Sequence, residues 1–284
     1  RYFNNPYGDI WLKLRPLAYK VHPYQWPTIG KNIDHIAGAS LEEVEDFFHR
    51  FYAPDNAILS ISGNITDEKA LELVKKWFGD IPPARYKRKA LPMEPQQTEE
   101  RRLVCEHNKV PADAIYKVYH MGDRRSDNFY TCDTISDILS NGQSSRLYIN
   151  LIKNGKLFSE VDAYITGDMD PGLFIFSGKL SEGVAIEEAE AAIQNEIDRF
   201  IEDPISEREL QKVINKTEAR ISYSEINYQG KSANLAFFDY LGDINLINSE
   251  SIRYAEVSLD SIKQTARELF STQNCSTLWY LKDK

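Results

Sequence analysis

The apolar positions of this chain fall into helical and strand-like spacings, and one such pattern occurs twice. Between Ser40 and Ser62, Leu41, Val44, Phe47, Phe48 and Phe51 recur at the spacing of one helix face, and Ala57–Ser62 follows as an apolar strand. Ser40 with Glu43 is a capping box, in which hydroxyl and carboxylate satisfy backbone donors at the helix start. The pattern returns at Ser258–Leu281. Ser258, Leu259, Ile262, Leu269, Phe270 and Asn274 each stand 218 positions after Ser40, Leu41, Val44, Phe51, Tyr52 and Asn56, without a gap. Ser261 takes the place of the capping acid in the second copy. A match that runs through helix, turn and strand marks an internal duplication.

The remaining periodicities place further elements. A short helix is predicted over Asp9–Ala18, with Ile10, Leu12, Leu14 and Leu17 inward and Pro16 near its end, followed by a Pro-bearing loop to Gly30. Thr66 caps a helix through Phe78, and Gly79 suits a left-handed C-terminal position. Strands are predicted at 101–106 and 114–121, helices at 128–139 and 144–154, and a hairpin at 157–166 and 173–180. Helices follow at 186–202 and, from a second capping box of Ser206 and Glu209, to about Tyr223; after a break at 227–230, helical spacing resumes at 232–240. Strands in adjacent pairs with helices grouped between them define an α+β class.

The duplication sets the expected organisation. Residues 1–84 form the C-terminal part of a first domain, 85–100 a charged linker, and 101–284 a complete second, homologous domain. Each domain is expected to be a mostly antiparallel sheet with helices packed on one face. Copy one lacks the upstream length of copy two, so the chain is expected to be the C-terminal portion of a longer protein.

Composition narrows the class. Hydrophobic residues at 42% and charged residues at 27% describe a globular chain, and no apolar run reaches the ~20 residues of a membrane span. A net charge of −9 argues against a nucleic-acid partner. The three cysteines show no CxxC spacing, so they read as buried apolar residues rather than metal ligands. The sequence does not fix a compartment.

The candidate chemistry is sparse. The five histidines make no HxxxH pair, and Glu45 with His49 reads as a surface helix pair. Asp168 and Asp170 lie in the hairpin turn, where Asp bonds local backbone, and Ser144 and Ser145 cap a helix. These residues contain no catalytic constellation.

One ordered set of residues carries a family signature. Asn141–Gly178, NGQSSRLYINLIKNGKLFSEVDAYITGDMDPGLFIFSG, resembles the second-domain signature of the pitrilysin/insulinase-type zinc peptidases, which include mitochondrial processing peptidases and bacterial zinc proteases. Asn5-Pro6-Tyr7-Gly8, Tyr19, His22-Pro23-Tyr24, Thr28-Ile29-Gly30, Phe51–Asn56 and Gly63 match the tail of the family's first domain. The resemblance is to the bacterial type and covers nearly the whole chain.

It implies two homologous α+β domains, with zinc held in the first by an inverted HxxEH motif and a later Glu. Those ligands and the general base are expected upstream of Arg1-Tyr2-Phe3. No catalytic or metal residue, and no zinc, is then expected in this chain. Glu218 falls in the corresponding region of copy two, where the family gives it no metal role.

The parent protein is expected to be a zinc metalloendopeptidase acting on unstructured peptides. The alternative is a non-catalytic scaffold or partner subunit of the same family, and a homo- or hetero-dimer with a family member fits either reading. Family members carry an Arg and, seven residues on, a Tyr that hold the substrate; by alignment these places are Ile152 and Ser159 here. Substrate-facing candidates are therefore Asn141, Gly142, Ile152, Phe158 and Ser159. Arg146 and Tyr148 are expected to pack their helix, and His22 to bond within its own loop.

Overall fold

A computed structural model describes residues 4–30, 32–84, 86, 89–107 and 110–283. Arg1–Phe3, ahead of which the resemblance locates the metal ligands, lie outside the described residues. Five strands, β1 (Arg101–His107), β2 (Ala114–His120), β3 (Phe158–Ile165), β4 (Leu173–Leu180) and β5 (Cys275–Lys282), make one sheet ordered β1-β5-β2-β4-β3. β1 runs parallel to β5, and every other neighbouring pair is antiparallel. The helices are α1 (Ile10–Ala18), α2 (Ile33–Ala37), α3 (Leu41–Phe51), α4 (Asp67–Phe78), α5 (Phe129–Ser140), α6 (Ile186–Glu202), α7 (Glu207–Ser224), α8 (Tyr228–Tyr240), α9 (Leu246–Ala255) and α10 (Leu259–Leu269). The fold is α+β.

The chain divides into two compact units, one of residues 1–28, 92–216 and 253–284 and the other of 29–91 and 217–252. Compactness thus groups the chain differently from the repeat. In the first unit the central strands β5, β2 and β4 are buried on both faces. The two-residue strand period puts Ala114 and Val118 of β2 on one face and Ile115, Lys117 and Tyr119 on the other. Ile10, Leu14 and Ala18 of α1, with Tyr19, pack on the first face against Val118, Ile175, Leu278 and Tyr280. Asp9 secures this layer, accepting a 2.5 Å hydrogen bond from the Tyr280 hydroxyl.

On the opposite face Phe270, at the C-terminus of α10, sets its ring 5.2 Å from Tyr119, 5.1 Å from Phe174 and 5.4 Å from Phe176. Such aromatic clusters bury large areas with defined geometry. α6 is tied to that face by Glu190, which accepts from Arg102, from Lys117 Nζ at 3.3 Å and from Trp279 Nε1 at 2.8 Å. The aperiodic stretch before β1 is also built in. Glu94 accepts from the backbone N–H groups of Lys20, Val21 and His22 at 2.8–2.9 Å, and Gln97, 4% exposed, donates to the Cys275 carbonyl.

The two copies of the repeated pattern share local structure. α3 and α10 match end to end at the 218-residue offset, each followed by a short 3-10 turn, Pro54–Asn56 and Thr272–Asn274. Asn56 Nδ2 donates to the Phe51 carbonyl at 2.7 Å, and Asn274 Nδ2 makes the equivalent bond to Leu269 at 2.9 Å. Ser258 and Ser261 form a full capping box, so the Ser261 hydroxyl does the work of Glu43. Burial separates the copies. Ile262 and Ala266 are 0% exposed, whereas their counterparts Val44 and Phe48 are each 55% exposed.

Four local expectations change. Residues 57–62, expected as a strand, pair with no strand among the described residues, and a strand requires a neighbour to complete its ladder. The predicted helix at 144–154 is a π-helix over Tyr148–Asn154. Gly79 stays right-handed, at φ −64°, with its N–H bonded to Lys75. α8 begins at Tyr228, inside the expected break, because the Asn227 side chain caps it through the Gly230 N–H.

Candidate functional site

Three elements bring the substrate-facing candidates into one region of the first unit: the end of α5, the π-helix and edge strand β3. β3 packs against both α5 and the π-helix, and the Ser140 hydroxyl at the end of α5 donates to Asp162 of β3 at 3.2 Å. Asn141 closes α5. Its side chain donates to Asp137 Oδ1 at 2.6 Å and accepts from Lys216 Nζ of α7. Gly142 then takes φ +97°, a left-handed conformation open to glycine without strain. That turn directs the chain into the short helical lead of the π-helix.

A π-helix widens the backbone spiral and occurs often at functional sites. Here it is held at both ends. Asn150 Nδ2 donates to Glu196 of α6 at 2.7 Å, and the Gly155 N–H bonds the Asn150 carbonyl at 2.9 Å. Ile152 sits within it, half-buried. Lys156 then adopts φ +54°, and the Leu157 N–H reaches the Leu151 carbonyl at 3.0 Å, which turns the chain sharply into β3.

At the start of β3 the two neighbouring candidates differ. Phe158 is 1% exposed and lies over Gly178 of β4; a Cβ there would meet the ring at 2.5 Å. Its ring belongs to the core. Ser159, in a bulge between Phe158 and Glu160, is exposed and donates its hydroxyl to the Lys179 carbonyl at 3.2 Å. Bulges re-aim side chains at sheet edges. The exposed or half-exposed candidates in this region are thus Asn141, Gly142, Ile152 and Ser159.

The signature residues around them hold structure. Arg146 makes a bidentate pair with Glu209, Nε to Oε1 at 3.0 Å and Nη2 to Oε2 at 3.2 Å, and lies 5.3 Å over the Phe200 ring. Partial burial raises the Glu209 carboxyl, but Arg146 and the Ser206 N–H and hydroxyl outweigh it and bring its pKa to about 2. His22 bonds within its own loop: Nδ1 accepts from the Tyr24 N–H at 3.2 Å, and Nε2 stands 3.4 Å from Asp170. In the hairpin turn, Asp170 donates its N–H to the Tyr24 hydroxyl, and the Asp168 carbonyl accepts from the Arg124 N–H. The Glu190 cluster and the π-helix were not legible beforehand, since neither has a sequence period of its own.

A zinc site does not fit the described residues. No group of three or more His, Cys, Asp or Glu side chains among them could hold a metal. His49 and Glu45 lie exposed on α3, while the His120 ring is directed at the Ala18 carbonyl, 3.0 Å away. Burial lowers the His120 pKa. No helix among them is long and apolar enough to cross a membrane.

The sequence profile of the peptidase M16 inactive domain matches residues 38–217, and the chain belongs to that family. The zinc protease PqqE of Helicobacter pylori is 26% identical over 285 aligned positions, covering 97% of this chain and 62% of the relative. A protease structure from H. pylori superposes with a TM-score of 0.90 at 22% identity, over 99% of this chain and 68% of that one. A peptidase M16 inactive domain from Pseudomonas fluorescens superposes with a TM-score of 0.87 at 13% identity, over 99% and 66%. The chain spans 62% of the length of the curated relatives it matches.

Proposed function

We propose that this chain is the non-metal portion of a zinc metalloendopeptidase, and that the region from Asn141 to Ser159 forms one side of the chamber that receives unstructured polypeptide. The family match over residues 38–217 carries the reading. The framed turn at Asn141-Gly142 and the bulge at Ser159 supply surfaces on which an extended chain can lie, while Phe158 and Arg146 hold them in place.

The experiment is zinc content per chain on the full-length parent, upstream residues included. About one tightly held zinc per chain, with peptidase activity that a chelator removes, is the expected result. A folded, metal-supplemented parent without zinc would overturn the reading.

The second reading, a scaffold or partner subunit, draws on Ile152 and Ser159. An aliphatic side chain cannot donate to a substrate carbonyl, and the Ser159 hydroxyl is already bonded to Lys179. A substrate clamp built of Arg and Tyr would then come from a second family member. Activity of the parent that appears only on mixing with such a partner would favour this arrangement.

A further inference from the structure

The loop at Asn141-Gly142 lies beside a row of cations. Arg208, Lys212 and Lys216 recur every four residues along α7, all exposed, in a chain of net charge −9. None of the three meets a carboxylate at ion-pair distance among the described residues. Lys212 Nζ donates instead to the Ser144 hydroxyl at 3.1 Å, and Lys216 Nζ to the Asn141 side-chain oxygen. A shallow depression beside them is lined by Arg208, Gln211, Lys212 and Asn215, with Glu207 at its rim. The neighbouring acid Glu209 is already paired with Arg146.

We infer that this row is a docking track for an acidic segment of extended polypeptide, which deepens the peptide-holding reading above and rests on it. Spacing selects the ligand. Four helical residues advance about 6 Å, so the row spans about 12 Å. Same-face side chains of an extended chain repeat at about 6.6 Å, so three alternate residues span about 13 Å. Carboxylates at alternate positions therefore meet all three cations in turn, and contiguous carboxylates do not. Lys212 and Lys216 exchange neutral oxygen partners for carboxylates, which form stronger charge-assisted bonds.

Fluorescence anisotropy on the 284-residue chain tests the track with four labelled peptides of equal length. They carry three alternate Glu, three contiguous Glu, three alternate Lys, or no charge. Alternate-Glu peptide is expected to bind about tenfold tighter than alternate-Lys, and about threefold tighter than contiguous-Glu. The preference should shrink as salt rises from about 50 mM to about 300 mM and vanish in a Lys212→Gln/Lys216→Gln variant of unchanged circular dichroism.

Equal binding of all four peptides, or a preference that survives the double substitution, overturns the track while leaving peptide binding intact. Failure of every peptide to bind overturns the peptide-holding reading itself. Tighter binding of single-stranded DNA than of any peptide also overturns the track, by assigning the row to phosphates.

Discussion

Glu190 is where the sheet and its helical layer are joined by charge, and replacing it tests how that layer is held. Lys117 is 4% exposed in mid-strand β2, and Glu190 supplies its carboxylate at 3.3 Å. Glu190 also receives Arg102 and the Trp279 indole N–H. Glu190→Gln keeps the shape but leaves the Lys117 ammonium buried without a counter-charge. Breaking a buried pair in this way costs about 3–5 kcal/mol. Because the Arg102 side chain is 47% exposed and can return to water, the low end applies, about 3 kcal/mol.

Lys117→Met removes the buried cation itself and leaves Glu190 with Arg102 and Trp279, so its cost is expected within about 1 kcal/mol. The double variant should then recover about 2 kcal/mol relative to Glu190→Gln alone. Urea unfolding followed by circular dichroism measures all four corners of the cycle. A Glu190→Gln loss below about 1 kcal/mol, or a double variant no more stable than that single one, would refute the claim that burial of Lys117 sets the energy. Acid should act through the same carboxylate. Burial raises its pKa, but Arg102 and Lys117 more than offset this and hold it below the usual range. Its contribution is therefore present above the unfolded carboxylate pKa and lost as pH falls through the folded value.

Two further outcomes follow from the geometry. Glu209 has a folded pKa of about 2, below that of an unfolded carboxylate, so its pairing stabilises above about pH 4.3 and fades as pH falls towards 2. Solvent screening limits this contribution to about 1 kcal/mol, and Glu209→Gln should show that loss at neutral pH with a flatter acid limb in thermal melts; an unchanged limb would contradict the assignment. Removing residues 1–28 should abolish folding of the first unit. Burial of Ile10, Leu14 and Tyr19, 0–2% exposed, contributes about 6 kcal/mol, comparable with the whole stability of a domain. A cooperative melt at an unchanged midpoint for residues 29–284 would disprove the role assigned to α1.

The repeated pattern, both predicted capping boxes and the extents of α6 and β4 were legible because each rests on a local period or cap, whereas α2 and α9 were not foreseen. What escaped depends on partners distant in sequence. Nothing local tells Lys117, in an apolar strand, that Glu190 will meet it 73 residues later. The π-helix shares its apolar spacing with an α-helix and differs only through its end constraints at Asn150 and Gly155. Leu14 and Leu17 announce a helix, but not that it covers a sheet formed 84 residues beyond. At the candidate site, the resemblance singled out Asn141, Gly142 and Ser159 but not the bulge that holds Ser159. The burial of Phe158 follows from Gly178 across the ladder, which sequence spacing does not reveal.

The described structure also shows how polar side chains are kept inside this chain. Glu94 is committed to three backbone N–H groups, His120 faces the Ala18 carbonyl, and Glu190 and Glu209 are each bound by arginine. Each of these groups satisfies buried or half-buried donors and acceptors whose desolvation would otherwise destabilise the fold. Recruiting one of them to catalysis would uncouple a helix or a loop from the sheet. The surface cations of α7 carry no such constraint, because Lys212 and Lys216 bond exposed neutral oxygens they can release. Substitutions at Lys212 and Lys216 can therefore change surface charge without loosening the core, which is what makes the double Gln variant a clean test of the inferred track.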